Sequence, residues 1–471
     1  MSYEECDDGN LINGDGCSSK CTVEENWSCQ DGSPTNKDTC NCSSRTGVYQ
    51  FGNNCVILET GLQQTVAEVT TYTTITSSSV EGSLFGAQLL SGVSSSMFAT
   101  ALNYLHVLMM LKYCNVGFPP IVEQLFISLS NETSSSSTDI FNIFSRLEEE
   151  YAKGGETRGR FHQFGIKAFF LSNIGYFFLT LPILSFVILL LKILKRICKE
   201  GTAHRMISRT ILPIFQWNMT LSMIISAQVK LSFGWLVQFS NPFGNTYSVI
   251  NFVIAIVTLV AICATYIAVA FKISWNWSIM KEKPFLSRQV LANALMKREK
   301  LSMLWKTYDI KSSIGRYFLI IQTLKTTLVV AIIFGLYDYP LAQCYLLVFL
   351  SILYLVILGI GRPFKNFVDL LDAIGNEICL FLEEVLMAVF ATNKQHNFLD
   401  LRTGNILGWV MIGVLFLCLA SNIICILAAV IYSGVEALRK KRKKRQRRKA
   451  AIQRHVKSPQ VSENSLRIID V

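Results

Sequence analysis

Apolar residues run in long blocks from Phe85 to Tyr432, separated by short polar loops. Eight blocks stand out, at 85–111, 168–191, 211–230, 247–270, 317–336, 341–360, 368–390 and 405–432. Each can cross about 30 Å of hydrocarbon as a helix. The first is the weakest, because it carries several Ser, two Gly and His106. The pattern predicts an all-α polytopic membrane protein with seven to eight transmembrane helices, over 85–435. Ahead of it, residues 1–55 are polar with no periodic apolar face, and 56–84 are Thr/Ser-rich and predict a short stalk. Residues 436–471 predict a basic cytosolic tail.

Composition removes the alternative of several soluble cores. Apolar residues are 51% and charged residues 16%, where a soluble chain is about one quarter charged. The net charge of +11 is concentrated rather than spread. Six Lys/Arg lie in 192–209, ten in 272–316, and ten of the eleven residues from Arg439 to Lys449 are basic. The intervening loops 231–246, 337–340 and 391–404 hold two or fewer each. Basic loops stay cytosolic, so the last seven blocks cross with the carboxyl terminus inside and 112–167 outside. An amino terminus that is also outside, extracellular or luminal, leaves 85–111 unable to cross once. That segment then lies flat, re-enters or packs against the bundle, unless an upstream part changes the count.

Seven of the fourteen cysteines precede residue 56: Cys6, Cys17, Cys21, Cys29, Cys40, Cys42 and Cys55. A short polar segment cannot bury a sufficient core, so this density predicts an exported disulfide framework. Zinc fits poorly, since Cys40 and Cys42 are too close for a C-x₂-C knuckle and no paired His follows. The Asp/Asn run offers oxygen ligands for calcium, but without EF-hand spacing; a solvated Asp-Gly turn is the simpler reading. Sequons at Asn26, Asn41 and Asn131 agree with an outside location and glycosylation. The string Glu5-Cys6-Asp7-Asp8-Gly9-Asn10, then Asn13-Gly14-Asp15-Gly16-Cys17, Cys21, Glu25, Trp27 and Cys29, resembles the Myxococcus-type cysteine-rich repeat found in bacterial and ciliate membrane proteins. Met1 falls inside that repeat with no apolar signal region after it, so a longer chain is expected.

The chemistry concentrates in 368–390, which carries Asp369, Asp372, Asn376, Glu377, Glu383 and Glu384. At helical periodicity Asp369, Asp372, Asn376 and Glu383 fall within about 60° of one another, with Glu377 and Glu384 on an adjacent strip. Charges within a membrane helix are costly and face protein or water. Two readings follow: a cation-attracting pathway, or interhelical pairing with Lys325, Gln322 or Gln343. Lys325 sits mid-helix with poor reach to the interface, so a buried pair with Glu377, Glu383 or Glu384 is expected. Gly361-Arg362-Pro363-Phe364 predicts a tight hinge in which the glycines loosen the helix end and Pro363 stops it.

The lead-in Tyr308 to Arg316-Tyr317-Phe318, then Gln322, Lys325, Gln343 and Arg362-Pro363-Phe364-Lys365-Asn366, resembles the carboxyl-terminal membrane domain of the TRP-like family, which includes the fungal flavin carriers. The resemblance implies an exported amino-terminal domain, a multi-span domain, and calcium-related transport or flavin uptake. No Gly-rich phosphate loop, G-x-S-x-G or H-E-x-x-H is present, so no enzyme is expected, and no cofactor beyond calcium at the repeat. The expected partners are the lipid bilayer, anionic inner-leaflet lipids at the basic tail and further copies of the chain, not nucleic acid. The functional expectation is a TRP-like cation channel or transporter; the alternative is a cell-surface receptor or adhesion protein with a cysteine-rich ectodomain.

Overall fold

The structure, a computed structural model, describes residues 5–7, 16–30, 39–42, 48–51, 54–57, 61, 64–66, 68, 104, 106–135, 157, 159–198, 207, 212, 220–240, 245–282, 308–309 and 312–457. Four short strands come first: β1 (Trp27–Gln30), β2 (Thr39–Cys42), β3 (Val48–Phe51) and β4 (Asn54–Ile57). They form two antiparallel hairpins, with Cys29 opposite Cys40 in one and Gln50 opposite Cys55 in the other. Disulfides join Cys6–Cys17, Cys29–Cys40 and Cys42–Cys55, the last tying the two hairpins together. Cys21, also expected in the framework, is in none of these three disulfides; an odd set of seven leaves one over.

Helices make up most of the remaining described chain. They are α1 (Pro120–Ser135), α2 (Gly159–Gln163), α3 (Phe170–Ile197), α4 (Thr220–Ser240), α5 (Thr246–Glu282), α6 (Ser313–Gly335), α7 (Pro340–Gly361), α8 (Phe367–His396) and α9 (Leu401–Lys457). Among the described residues four are long and apolar enough to cross a membrane: Thr246–Phe271, Ser313–Gly335, Pro340–Gly361 and Leu401–Cys425. Their outward faces carry exposed Val257, Val260, Phe349, Val356 and Leu417. Exposed apolar rows of this kind suit lipid. α8 has the length of a span, but its carboxylates lower its apolar character. α4 runs ten residues past the expected end at 230, because Leu231, Phe233, Trp235 and Val237 are buried.

The helix ends are satisfied by side chains. Gln238 Oε1 accepts from Phe170 N at 3.1 Å and Asn251 Oδ1 from Leu171 N at 2.9 Å, so α4 and α5 cap the start of α3. Gln228, Ser232, Thr327 and Tyr266 form a hydrogen-bonded cluster that joins α4, α5 and α6. α6 to α9 pack in sequence as antiparallel neighbours, α7 against α8 most extensively.

Tyr104 and the chain from His106 to Phe118 pack into the bundle, with Val107, Leu111, Tyr113, Cys114 and Phe118 nearly inaccessible. Val66, in the expected stalk, belongs to the same core. The hairpin β3–β4 rests on the bundle: Phe51 is buried against Gly404 at the start of α9, and Tyr49 donates to Gln124 of α1. A Cβ on Gly404 would overlap the Phe51 ring, so the close approach requires glycine there.

Candidate functional site

α8 presents its polar residues on two faces. Towards α6 and α7 it turns Glu377 and Glu384; towards α9 and the 104–126 region it turns Asn376 and Glu383. The two strips legible in the sequence thus meet different neighbours. Both oxygens of Glu377 accept from Lys325 Nζ, at 2.7 and 2.6 Å. Lys325 is 6% and Glu377 0% exposed, so this is a buried ion pair near the middle of α6. The ammonium also stands 4.7 Å from the Tyr354 ring centre and 5.3 Å from that of Tyr104. Aromatic faces replace part of the hydration a buried cation loses.

One or two turns away, other polar atoms are left over. Glu384 is fully buried, and neither carboxyl oxygen has a hydrogen bond of ordinary geometry, although the Ser351 hydroxyl lies close to it. The Ser351 hydroxyl, the Gln322 amide and the Tyr104 hydroxyl are buried in the same condition. Buried polar groups normally find partners, so such a set calls for an explanation. Gln343 is not part of it. Its Nε2 donates to Ile333 O at 2.8 Å and its Oε1 accepts from Asn115 N at 3.3 Å, so it holds the α6–α7 turn rather than the acidic strip.

On the other face Asn376 and Asn422 exchange hydrogen bonds at 2.6 and 3.2 Å, with the Cys418 thiol donating to Asn376 at 3.4 Å. These are structural bonds between α8 and α9. Asp369 accepts from Asn366 at 3.2 Å in the first turn of α8, where a carboxylate is favoured by the helix dipole. Asp372, half-buried, lies beside the Cys425 thiol of α9. The six predicted residues therefore divide into ion pair (Glu377), a first-turn contact within α8 (Asp369), helix–helix contacts (Asp372, Asn376) and buried carboxyls not held by a cation (Glu383, Glu384).

At the opposite end from the hinge a second charged group lies among aromatic rings. Arg160 donates to Glu123 at 2.9 Å and to Lys112 O at 2.9 Å, and stacks on Phe118 and Phe164. Lys394 donates to Asn115 Oδ1 at 2.9 Å. Burial first, then repulsion from Lys230 and Arg160, pushes the Lys112 ammonium down to about 8. Sequence reasoning missed this group, because its members come from four distant segments.

The hinge is more than a turn. Arg362 ends α7 in the left-handed region (φ 37°), and Phe364 pairs with Tyr308 in a β-bridge, with Asp309 N donating to Pro363 O at 2.7 Å. Phe318, Tyr308 and Phe364 cluster with ring centres 5.1 to 5.6 Å apart. A Cβ on Gly361 would lie 2.7 Å from Ile314, so its role is close packing against α6 rather than loosening. Among the sequons, Asn26 adopts positive φ (68°) before β1, Asn41 lies in β2 and Asn131 in α1. The Asp/Asn run 8–15 lies outside the described residues.

No protein-family model, curated protein or solved structure matches this chain. Among the described residues, the four membrane-length apolar helices and the disulfides of the amino-terminal segment are compatible with a helical membrane protein.

Proposed function

We propose that the chain carries cations through its bundle, as a TRP-like channel or transporter with seven to eight spans. One observation carries this reading: between α6, α7 and α8, Glu384, Ser351 and Gln322 keep buried polar atoms with no hydrogen bond of ordinary geometry, Ser351 lying close to Glu384, in the helices that hold the Lys325–Glu377 pair. Ionisable side chains inside a membrane bundle mark ion paths by default, and water with a passing cation would supply the missing partners. The fixed Lys325–Glu377 pair is neutral as a unit, which leaves Glu384 as the carboxyl that would give up its proton to bind a passing cation. The charge of the loops supports an amino terminus outside the cytosol, glycosylated at its sequons, and a carboxyl terminus within it. α9 continues unbroken to Lys457, so the basic run lies on the same helix as the last span, where anionic inner-leaflet lipids are its natural partner. Further copies of the chain could complete the path in an oligomer.

Glu384→Gln tests the reading, because it removes the ionisable carboxyl without orphaning a cation. Cation flux through the reconstituted protein is expected to fall about tenfold or more, corresponding to about 1.4 kcal/mol of barrier. Unchanged flux at normal membrane abundance overturns the proposal.

The receptor reading is favoured by a different observation, the seating of β3–β4 on α1 and α9. There the cysteine-rich module would bind a ligand and the bundle would relay it. A reconstituted protein that passes no cation, yet changes the environment of α9 when the module is engaged, selects that reading.

A further inference from the structure

Glu383 points away from the Lys325 interior. It is 2% exposed, and its Oε1 has no hydrogen bond. It lines a cavity of about 20 Å³ whose other walls are apolar, among them Leu108, Val122, Phe126, Met411 and Leu415. The cavity is not sealed, and it lies where the 106–113 stretch, α1 and α9 meet α8. Its volume suffices for one water. A water needs two or more polar partners, and Glu383 is the one polar side chain among the described lining residues.

The charged and titratable groups on the surrounding elements are accounted for. On α8 and α9 the nearest are the Cys379 and Cys418 thiols. On α1, Glu123 is bound to Arg160. On the 106–113 stretch, Lys112 stands over the Tyr113 and Phe164 rings, and His106 is half-buried near its start. Among the described residues no Lys, Arg or His lines the cavity. A carboxylate there would be a buried charge with no counter-ion, which proteins avoid by keeping the group protonated.

We propose that Glu383 and its cavity form a site that holds a neutral, reagent-accessible carboxylic acid, separate from the Lys325–Glu377 pair and reached between α1, α9 and the 106–113 stretch. The site holds whether or not cations pass along the interior. Its chemistry is that of a carboxylic acid in an apolar cleft, which a carbodiimide modifies. The acid proton moves to a carbodiimide nitrogen and the carboxyl oxygen bonds to the central carbon. The O-acylisourea so formed rearranges to an N-acylurea that retains every atom of the reagent.

Two measurements on the full chain in lipid nanodiscs test this. The infrared difference between wild type and Glu383→Gln at neutral pH should contain the carbonyl band of a protonated carboxyl; a carboxylate band in its place overturns the proposal. Treatment with N,N′-dicyclohexylcarbodiimide, and in parallel with a water-soluble carbodiimide, should give an adduct on the Glu383 peptide that is absent from Glu383→Gln. Labelling by the lipophilic reagent alone assigns access from the bilayer, and labelling by both assigns access from water; each supports the site. No adduct at Glu383 with either reagent, or equal labelling of Glu377, overturns it. Cation flux is not read in either experiment, so failure here is distinct from failure of the transport reading.

Discussion

At the residue scale the energetics turn on Lys325. It is bound through two short contacts to a carboxylate with no solvent exposure. Removing one partner leaves the other as a buried charge, whereas replacing both with apolar groups can be nearly neutral. Glu377→Gln is therefore expected to destabilise the protein by about 3–5 kcal/mol, and Lys325→Met with Glu377→Leu to recover most of that loss. Thermal unfolding in detergent measures both, and a double variant no better than the single one removes the pairing argument.

Lys112 gives a pH signature at the other charged group. Its ammonium is held down at about 8 by burial and by neighbouring cations. The folded state then binds fewer protons than the unfolded state between about 8 and the ordinary lysine value. The cost of the charged form is fully present below about pH 8 and is relieved as pH rises above it. Lys112→Met is expected to be more stable than wild type at neutral pH, with the gap closing in alkaline buffer. Unfolding midpoints of the two proteins across that range check the sign; a gap that stays constant counts against it.

At the scale of elements, the corner joining α7 to α8 is fixed by packing. Gly361 lies against Ile314 with no room for a Cβ, and the aromatic trio Tyr308, Phe318 and Phe364 sits beside it. Overpacking of this kind costs about 1–3 kcal/mol, so Gly361→Val should lower stability by that amount. The obstructing atoms belong to the Ile314 side chain, so adding Ile314→Ala should restore much of it. If the second substitution gives no recovery, Gly361 matters for its backbone and not for space. The Gly-Arg-Pro-aromatic string showed that a helix ends here. It did not show that the turn is bridged to Tyr308, because that contact joins residues more than fifty positions apart.

At the scale of the whole molecule, the disulfide-braced hairpins and the bundle share an interface. Phe51 packs on Gly404, and Tyr49 reaches Gln124. Gly404→Val is expected to expel Phe51 and loosen the amino-terminal module while leaving the bundle folded. Limited proteolysis should then release the module faster, with the unfolding midpoint of the bundle little changed. Cleavage at the wild-type rate means that the module is held by other contacts.

The sequence by itself determined the helical class, the positions of the apolar blocks, the disulfide-bonded character of the cysteine-rich segment and the two polar strips of 368–390. These follow from local properties: hydropathy summed over a helix length, cysteine density, and the 100° step between successive residues. Only the tertiary structure decided that Glu377 takes Lys325, that Glu383 faces an apolar cavity and Glu384 does not, that Cys21 is the cysteine left over, and that Tyr104 reaches the ion pair from a segment whose path was ambiguous. Each of these depends on which face of one helix meets which face of another. That choice is made by packing between residues far apart in the chain, and periodicity along one helix carries no record of it.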